Sequence, residues 1–589
     1  MRKTAATLLA LFPLAAAAIT PYDETVEHKL QPQIETLLGQ LVKEGRNLSL
    51  DGMPVFNGKD KFLPGKIAIS LVEFLVSLQP DDPRLPKYLE DFKKVARLTV
   101  DDANDSWGAY YYVVALDKLR EAGLLNRAVD RLTLAKLRVH LDWRMFVDPD
   151  SFDLIDHPNN YYVVAFGIAR MRMRMGWEDG SGAARIYDKV VDHYHRYSGE
   201  YGFADETDGE GRFDRYSVLL SAEFAHHFLE SGETPPAEVQ GWVRKSADVM
   251  LARMHENGAG FEYGRSLGPY SETAIIEVLT TAAALGVLTE REKMLAYAYV
   301  SRAAERYFEF WVDQKTGSVN LWDDGRRTDG YRGKFRILGE NLSLAHQYAY
   351  TDAMWNAMGF KGKAPLADFG KALGEMPKES VTWFARGSYD RVLLTRRDEG
   401  HIIGLPVISG GATQHMNSAY FPIPYSRGLL AGVADGTNPL LVPQVTLADG
   451  SVLMPLAYFR DVKITQTSGK TSISWRQSEM DRMGKEAPVA DDRLSVETSY
   501  RFEKGSIVRT DTYTPKAPLD VTGIRLDYAG FGNSTFKADG LDDCQTQAIH
   551  QEADYESDDG PMTVKTVCTA GRRTVSAPFT LRWTLTYRP

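Results

Sequence analysis

The sequence predicts a two-domain α + β chain: an N-terminal (α/α) toroid of helical hairpins followed by a C-terminal antiparallel β-sandwich. Three observations carry this. From about residue 30 to 360, apolar residues recur every three or four positions, and Gly or Pro clusters interrupt them. From about residue 380 the texture changes to short runs of β-branched and aromatic residues, many alternating, with turn clusters between them. Within the helical region a short segment repeats. Tyr111-Tyr112-Val113-Val114-Ala115 returns as Tyr161-Tyr162-Val163-Val164-Ala165, and similar helix starts follow at Tyr216 and Tyr270.

Taken in order, residues 1–18 read as a secretory signal. Arg2 and Lys3 precede an apolar stretch from Leu8 that ends in Ala16-Ala17-Ala18, a small-residue cleavage site. The expectation is a secreted protein, extracellular or periplasmic. No later apolar run reaches the roughly 18 residues of a spanning helix, so no membrane partner is expected. Residues 19–360 form the toroid region. Lys66–Leu75, Val239–His255 and Ala274–Leu285 are helical in pattern, and Gly123, Gly176, Gly232 and Gly286 each follow a helical run. Residues 361–378 read as a linker. Residues 379–589 are the β region, with Val392–Thr395, Leu494–Tyr500 and Phe579–Tyr587 as clear strands.

Of 589 residues, 43% are hydrophobic, enough for more than one core. The two cysteines, Cys544 and Cys568, are expected to pair in a single disulfide. Four N-x-S/T sequons, at Asn47, Asn104, Asn341 and Asn533, are candidate glycosylation sites. The formal net charge of −10 argues against nucleic acid as a partner. It also requires that any basic cleft be local.

A repeat of roughly 50 to 55 residues accommodates two helices and two loops per unit, as in stacked helical hairpins. Just before each repeated helix lies a polar segment: Ser106-Trp107-Gly108, His157-Pro158-Asn159-Asn160, Arg212-Phe213-Asp214-Arg215 and Gly264-Arg265-Ser266. If the repeated helices are the inner ring, these segments meet at one mouth, where helix N-termini favour bound anions.

These residues and this layout resemble the heparinase II/III and alginate-lyase group of polysaccharide lyases, over nearly the whole chain beyond the signal. The resemblance implies a toroid with a C-terminal β-sandwich and cleavage of a uronic-acid polysaccharide by β-elimination. The family carries an Asn-Asn-His motif before an inner helix and a catalytic Tyr some fifty residues later. His157-Pro158-Asn159-Asn160-Tyr161 occupies the first place, with Tyr161 standing where the motif has His, and Phe213-Asp214-Arg215-Tyr216-Ser217 occupies the second. A family His from an early strand region corresponds to His415 in Gly410–His415.

β-Elimination needs the uronate carboxylate neutralised, a base for the C5 proton and an acid for the leaving oxygen. Asn160, Arg265 and His415 are the candidates for the first task. Tyr216, beside Arg212 and Arg215, is the candidate base and acid; a free Tyr ionises near pH 10, so cationic neighbours are required. Trp107, His157, Asn159, Arg215 and Tyr270 are candidate substrate-binding residues. Structural roles compete for each: a packing Tyr at 216, a helix cap at Asn159-Asn160, a loop His at 415. The basic run Arg326, Arg327, Arg332, Lys334 and Arg336 reads first as a solvated loop. Neither His193/His195 nor His226/His227 has the spacing of two ligands on one helix face, so no metal or other cofactor is expected. Two other functions stay open. One is a toroid-type glycoside hydrolase using acids among Asp205, Glu206, Asp208 and Asp214; the other is a non-catalytic carbohydrate-binding protein.

Overall fold

The computed structural model describes residues 18–323, 332–408, 418–430, 439–467, 469–485, 487–551 and 560–588. Six helices pack side by side in a closed inner ring: Leu63–Ser77, Ser106–Glu121, Tyr161–Arg174, Arg215–Leu229, Pro269–Ala284 and Ile337–Ala357, the last returning to the first. An outer layer, including Leu85–Thr99, Ser181–Tyr197, Ala237–Ala252 and Glu290–Arg306, covers them. The residue pattern explains the two layers. Pro269–Ala284 is buried along almost its whole length, as an inner helix touched on all sides must be. Leu85–Thr99 buries only the stripe Leu85, Tyr88, Leu89, Phe92, Val95, Ala96 and Thr99. The four tyrosine-rich repeats are the inner helices two to five. The first and last inner helices lack that signature.

Close packing fixes the ring. A Cβ on Gly65 would lie 1.9 Å from the carbonyl oxygen of Gly108, so the first and second inner helices approach at a distance only glycine permits. At the seam, Ser70 Oγ donates to Leu342 O at 3.1 Å. The chain start is drawn onto the same seam. Tyr22, fully buried, donates through its hydroxyl to Tyr348 O at 3.0 Å and shares a 2.7 Å hydrogen bond with Thr351 Oγ1.

The last inner helix ends at Ala357, a short helix spans Phe369–Gly374, and the first long strand is Glu379–Ala385. Before residue 300 the described strands are two-residue ladders only: Ser49–Leu50 with Met53–Pro54, and Gly264–Arg265 with Ser418–Ala419. Among the described residues, the β region holds three antiparallel sheets of three or more strands. Glu379–Ala385, Arg391–Asp398 and His401–Val407 form one that packs against the toroid, where Phe384 stacks on Phe213 at 4.9 Å. The other two face each other as a sandwich. Val445, Leu447, Leu453, Met480 and Val521 of an eight-stranded sheet share a core with Leu494, Val496, Tyr513 and Leu581 of a six-stranded sheet. Leu494–Glu503 alternates inward and outward along its length, as a strand with one solvated face does. Cys544 and Cys568 sit directly opposite on paired strands and form a disulfide, with Cα atoms 4.0 Å apart. No described helix is long and apolar enough to cross a membrane.

One expected glycosylation site is overturned. Asn341 is fully buried, donating to Ser318 Oγ and Ile337 O and accepting from Val319 N, so it is inaccessible to a glycan. Asn104 is also engaged, accepting from Gly65 N at 3.2 Å. Asn47 and Asn533 are exposed.

At the seam, burial first, then Asp23 and Glu27, push the Asp352 carboxyl from 3.8 up to about 7. The fold therefore binds this proton more tightly than the unfolded chain does. Its stabilising effect is complete below pH 3.8 and is lost as pH rises to about 7. The change amounts to at most about 4 kcal/mol. Asp352→Asn is expected to flatten the fall in melting temperature across that window. An unchanged slope contradicts this assignment.

Candidate functional site

The polar segments ahead of the inner helices meet at one mouth of the ring. A cleft of about 300 Å³ opens there, and Trp107, Asn160, Arg215, Tyr216, Arg265 and Tyr270 all line it. Asp214 organises its centre. Its side chain caps the Arg215–Leu229 helix through Tyr216 N at 2.8 Å. The other carboxylate oxygen accepts from Arg265 N at 3.3 Å and from Tyr420 Oη of the β region at 2.7 Å. One buried acid therefore fixes the backbones of Tyr216 and Arg265 together. Gly264 allows the approach: its φ is 87°, and a Cβ there would lie 2.5 Å from Asp214 Cβ.

Tyr216 stands between two guanidinium groups. Arg215 lies 4.0 Å and Arg265 4.7 Å from its ring centroid. Such cations are attracted to the face of a phenol ring by its quadrupole. The Tyr216 hydroxyl reaches Ser266 Oγ at 3.2 Å. Arg215 is 2% exposed, so it acts on Tyr216 more than on anything in the cleft. Asn160 occupies the N-cap position of the Tyr161–Arg174 helix, yet its side chain makes no cap hydrogen bond. It is 2% exposed, and its Oδ1 has no hydrogen-bond partner among the described residues. A buried amide oxygen left unsatisfied in this way carries a cost that only a hydrogen-bond donor relieves.

The opposite wall departs from the sequence expectation. Arg332 and Arg336 line the cleft and are not a solvated loop. With Lys66 they surround the fully buried Glu340, at 3.2 Å, 3.2 Å and 3.6 Å respectively. Burial alone would raise the Glu340 carboxyl; Lys66, Arg336 and Arg332 outweigh it and hold the group far below the usual range. Tyr270 donates its hydroxyl to Glu340, and Arg332 lies 3.8 Å from its ring, so Tyr270 offers the cleft a braced ring and not a free hydroxyl. Tyr161, where the resembled motif has His, also lines the cleft; burial first, then Tyr216, push its hydroxyl up to about 12. Lys66 and Gln347 carry no sequence signal beyond helical periodicity, whereas Tyr161 opens one of the repeated segments.

Two expected substrate-binding residues do not line the cleft. His157 turns Nδ1 to Ile155 O at 2.5 Å and packs its ring 4.6 Å from that of Tyr161. Asn159 donates to Thr207 O at 2.7 Å and Asp208 Oδ1 at 3.1 Å, tying two rim loops together. His415 lies outside the described residues, as do Arg326 and Arg327. The acids kept for a hydrolase are committed elsewhere. Asp205 accepts from the backbone of Thr207 and Gly211, Asp208 holds Asn159, Asp214 caps its helix and Glu206 pairs with Arg265 at 2.6 Å. Glu223 is the one carboxylate lining the cleft among the described residues. No three metal-ligating side chains converge among them.

No family model and no curated protein matches the chain. Solved structures do. A chondroitin AC lyase from Streptomyces coelicolor A3, determined with chondroitin sulphate, is 12% identical, with 99% of this chain and 81% of that one covered and a TM-score of 0.48. A chondroitinase AC lyase determined with oligosaccharides is 10% identical, with 96% and 82% covered and a TM-score of 0.42. A heparinase III is 10% identical, with 98% and 94% covered and a TM-score of 0.29.

The Arg265–Glu206 pair sets a pH dependence. Burial pushes Glu206 up to about 7, against the pull of Arg265. Above that pH the Glu206 carboxylate competes with a ligand anion for the Arg265 charge; below it that competition is removed. Glu206→Gln is expected to strengthen binding of a simple uronate above pH 7 and to change little below it, by calorimetric titration. Equal effects on both sides of pH 7 contradict the competition.

Proposed function

We propose that this protein is an exported polysaccharide lyase that cleaves a uronic-acid-containing chain by β-elimination. The observation that carries the reading is the convergence of Asn160, Tyr216 and Arg265 from three separate repeats on one cleft. Among the described residues, Lys66, Arg215, Arg265, Arg332, Arg336 and the carboxylate of Glu223 line that cleft, with Glu340 and Glu206 paired to four of the cations from behind it. This gives an acidic protein a local preference for an anionic ligand. The apolar segment that ends at Ala18 supports export.

In this reading the uronate carboxylate lies against the Asn160 amide and Arg265. Withdrawing charge there makes the C5 proton removable, because the electron pair left at C5 spreads onto the carboxylate. Tyr216, beside Arg215 and Arg265, takes that proton. The C4–O bond then breaks, the electron pair forms the 4,5-double bond, and Tyr216 returns its proton to the leaving oxygen. One side chain at the helix start thus serves in turn as base and acid, and no net proton is consumed. The hydrolytic alternative needs a pair of working carboxyls flanking the bond. The Asp205–Asp214 segment offers none to the cleft.

The test is a screen of alginate, glucuronan, heparan, chondroitin and hyaluronan, read as new ultraviolet absorbance from the unsaturated product. On the substrate that responds, Tyr216→Phe is expected to cut turnover by about 10²-fold or more with binding retained. Asn160→Ala is expected to cost about 10² to 10³-fold. Reducing ends released without new absorbance, or a Tyr216→Phe variant of normal turnover, would sink the reading.

A further inference from the structure

We infer that Glu223 is a substrate-binding residue at the floor of a blind well, where it holds a hydroxyl of a terminal sugar, so that the protein works from a chain end and not from within the chain. This deepens the lyase reading and rests on it for the identity of the chain. Tyr216, Leu219 and Glu223 all line the cleft from one helix. Spaced by three and four, they form one stripe, and the helical rise sets Glu223 about 10 Å below Tyr216. Tyr111, Glu223 and Gln347 line both the cleft and the space beneath it, so they form its floor. Below that floor the ring is shut. Tyr110 and Tyr111 of the second inner helix, His226 and His227 of the fourth, and His346 and Tyr350 of the last join in a closed circuit of side-chain rings. Centroids lie 4.9 Å apart for His227 and Tyr110, 5.7 Å for Tyr111 and His346, and 4.8 Å for His226 and Tyr350. About 30 Å³ remains among them, enough for a water and not for a sugar. Whatever descends the well therefore stops at Glu223.

Glu223 is built to meet a ligand and not to hold the fold. Its Oε2 is buried with no hydrogen-bond partner among the described residues. The structural acids nearby are paired: Glu340 with Lys66, Arg332 and Arg336, and Glu206 with Arg265. An acid oxygen buried without a partner costs stability that a hydrogen-bond donor from a ligand restores. A sugar hydroxyl is such a donor. Burial first, then Glu277 below the floor, push the Glu223 carboxyl well above the usual carboxylate range. A carboxyl kept neutral both donates and accepts, as a hydroxyl does, and it does not repel a uronate bound above it. A terminal sugar carries free hydroxyls on the side that an internal sugar gives to a linkage. It can reach the floor, whereas a polymer lying across the mouth cannot. The cleft volume of about 300 Å³ is that of a small-molecule pocket, in keeping with a short terminal stretch.

The experiment follows product size in time on a responding polysaccharide, by size-exclusion chromatography read at the absorbance of the unsaturated sugar. The expected result is release of the smallest products from the outset, while the mean length of the polymer falls slowly. Unsaturated oligosaccharides of mixed length at early times overturn the inference. An oligosaccharide tagged at its reducing end shows which end enters. The tag leaves with the first small product if the reducing end does, and stays on the shortened remainder if the non-reducing end does; both are end-wise action. Glu223 itself is tested by calorimetric titration of a uronate disaccharide, in the Tyr216→Phe background to suppress turnover. Glu223→Met keeps the bulk and removes the hydrogen bond, and is expected to weaken binding about tenfold. Glu223→Gln, which still donates and accepts, is expected to stay within about twofold. Glu223→Met binding as tightly as its parent overturns the role of Glu223. The titration needs no turnover, so it is read separately from the lyase reading, which fails if the wild-type protein forms no unsaturated product.

Discussion

The buried ion cluster around Glu340 is the constraint on which ring and cleft both depend. Glu340 opens the last inner helix, and Lys66 lies in the first turn of the first. Their pairing, with Arg332 and Arg336 supplied by the segment that leads into the last inner helix, lies at the seam where the ring closes. Charges removed from water in this way tolerate no missing partner: deleting one from a buried network costs roughly 3–5 kcal/mol. The same cluster braces Tyr270 and, through Arg332, reaches Ser266 and Tyr216. Ring closure and the setting of the candidate base are therefore one arrangement. This also reconciles the overall charge of −10 with a basic cleft, since the cations are local and most are tied to specific acids.

Much of the fold is legible in the sequence because it rests on short-range pattern. The tyrosine-rich repeat marks four of the six inner helices, since each must start at the same mouth and present the same kind of face. The first and last inner helices escape the repeat because they meet each other at the seam, where Lys66, Gly339 and Glu340 replace the aromatic start. In the sandwich, alternation marks the strands, and the close cysteine pair marks the cross-strand disulfide.

The site is legible to the extent that its residues lie at helix starts. Asn160, Tyr216, Arg265, Trp107, Arg215 and Tyr270 share the cleft because the repeat carries them there. His157 and Asn159 mislead because neighbours in sequence point apart once a helix begins. Asn160 faces inward, while Asn159 turns to the next rim loop. Arg332 and Arg336 mislead in the opposite sense: a basic run looks solvated until the acid it surrounds, Glu340, is brought to it by the fold. The Glu206–Arg265 pairing spans a sequence separation of 59, beyond the reach of any local pattern.

The central claim is that Tyr216 and Asn160 serve elimination and not hydrolysis. It is tested most directly by letting the wild-type protein cleave its responding polysaccharide in ¹⁸O-labelled water and weighing the products. Elimination breaks the linkage without adding water, so one product carries the 4,5-double bond and neither carries the label at the broken bond. Label incorporated at that linkage, with no unsaturated sugar, would contradict the account and turn attention to Glu223.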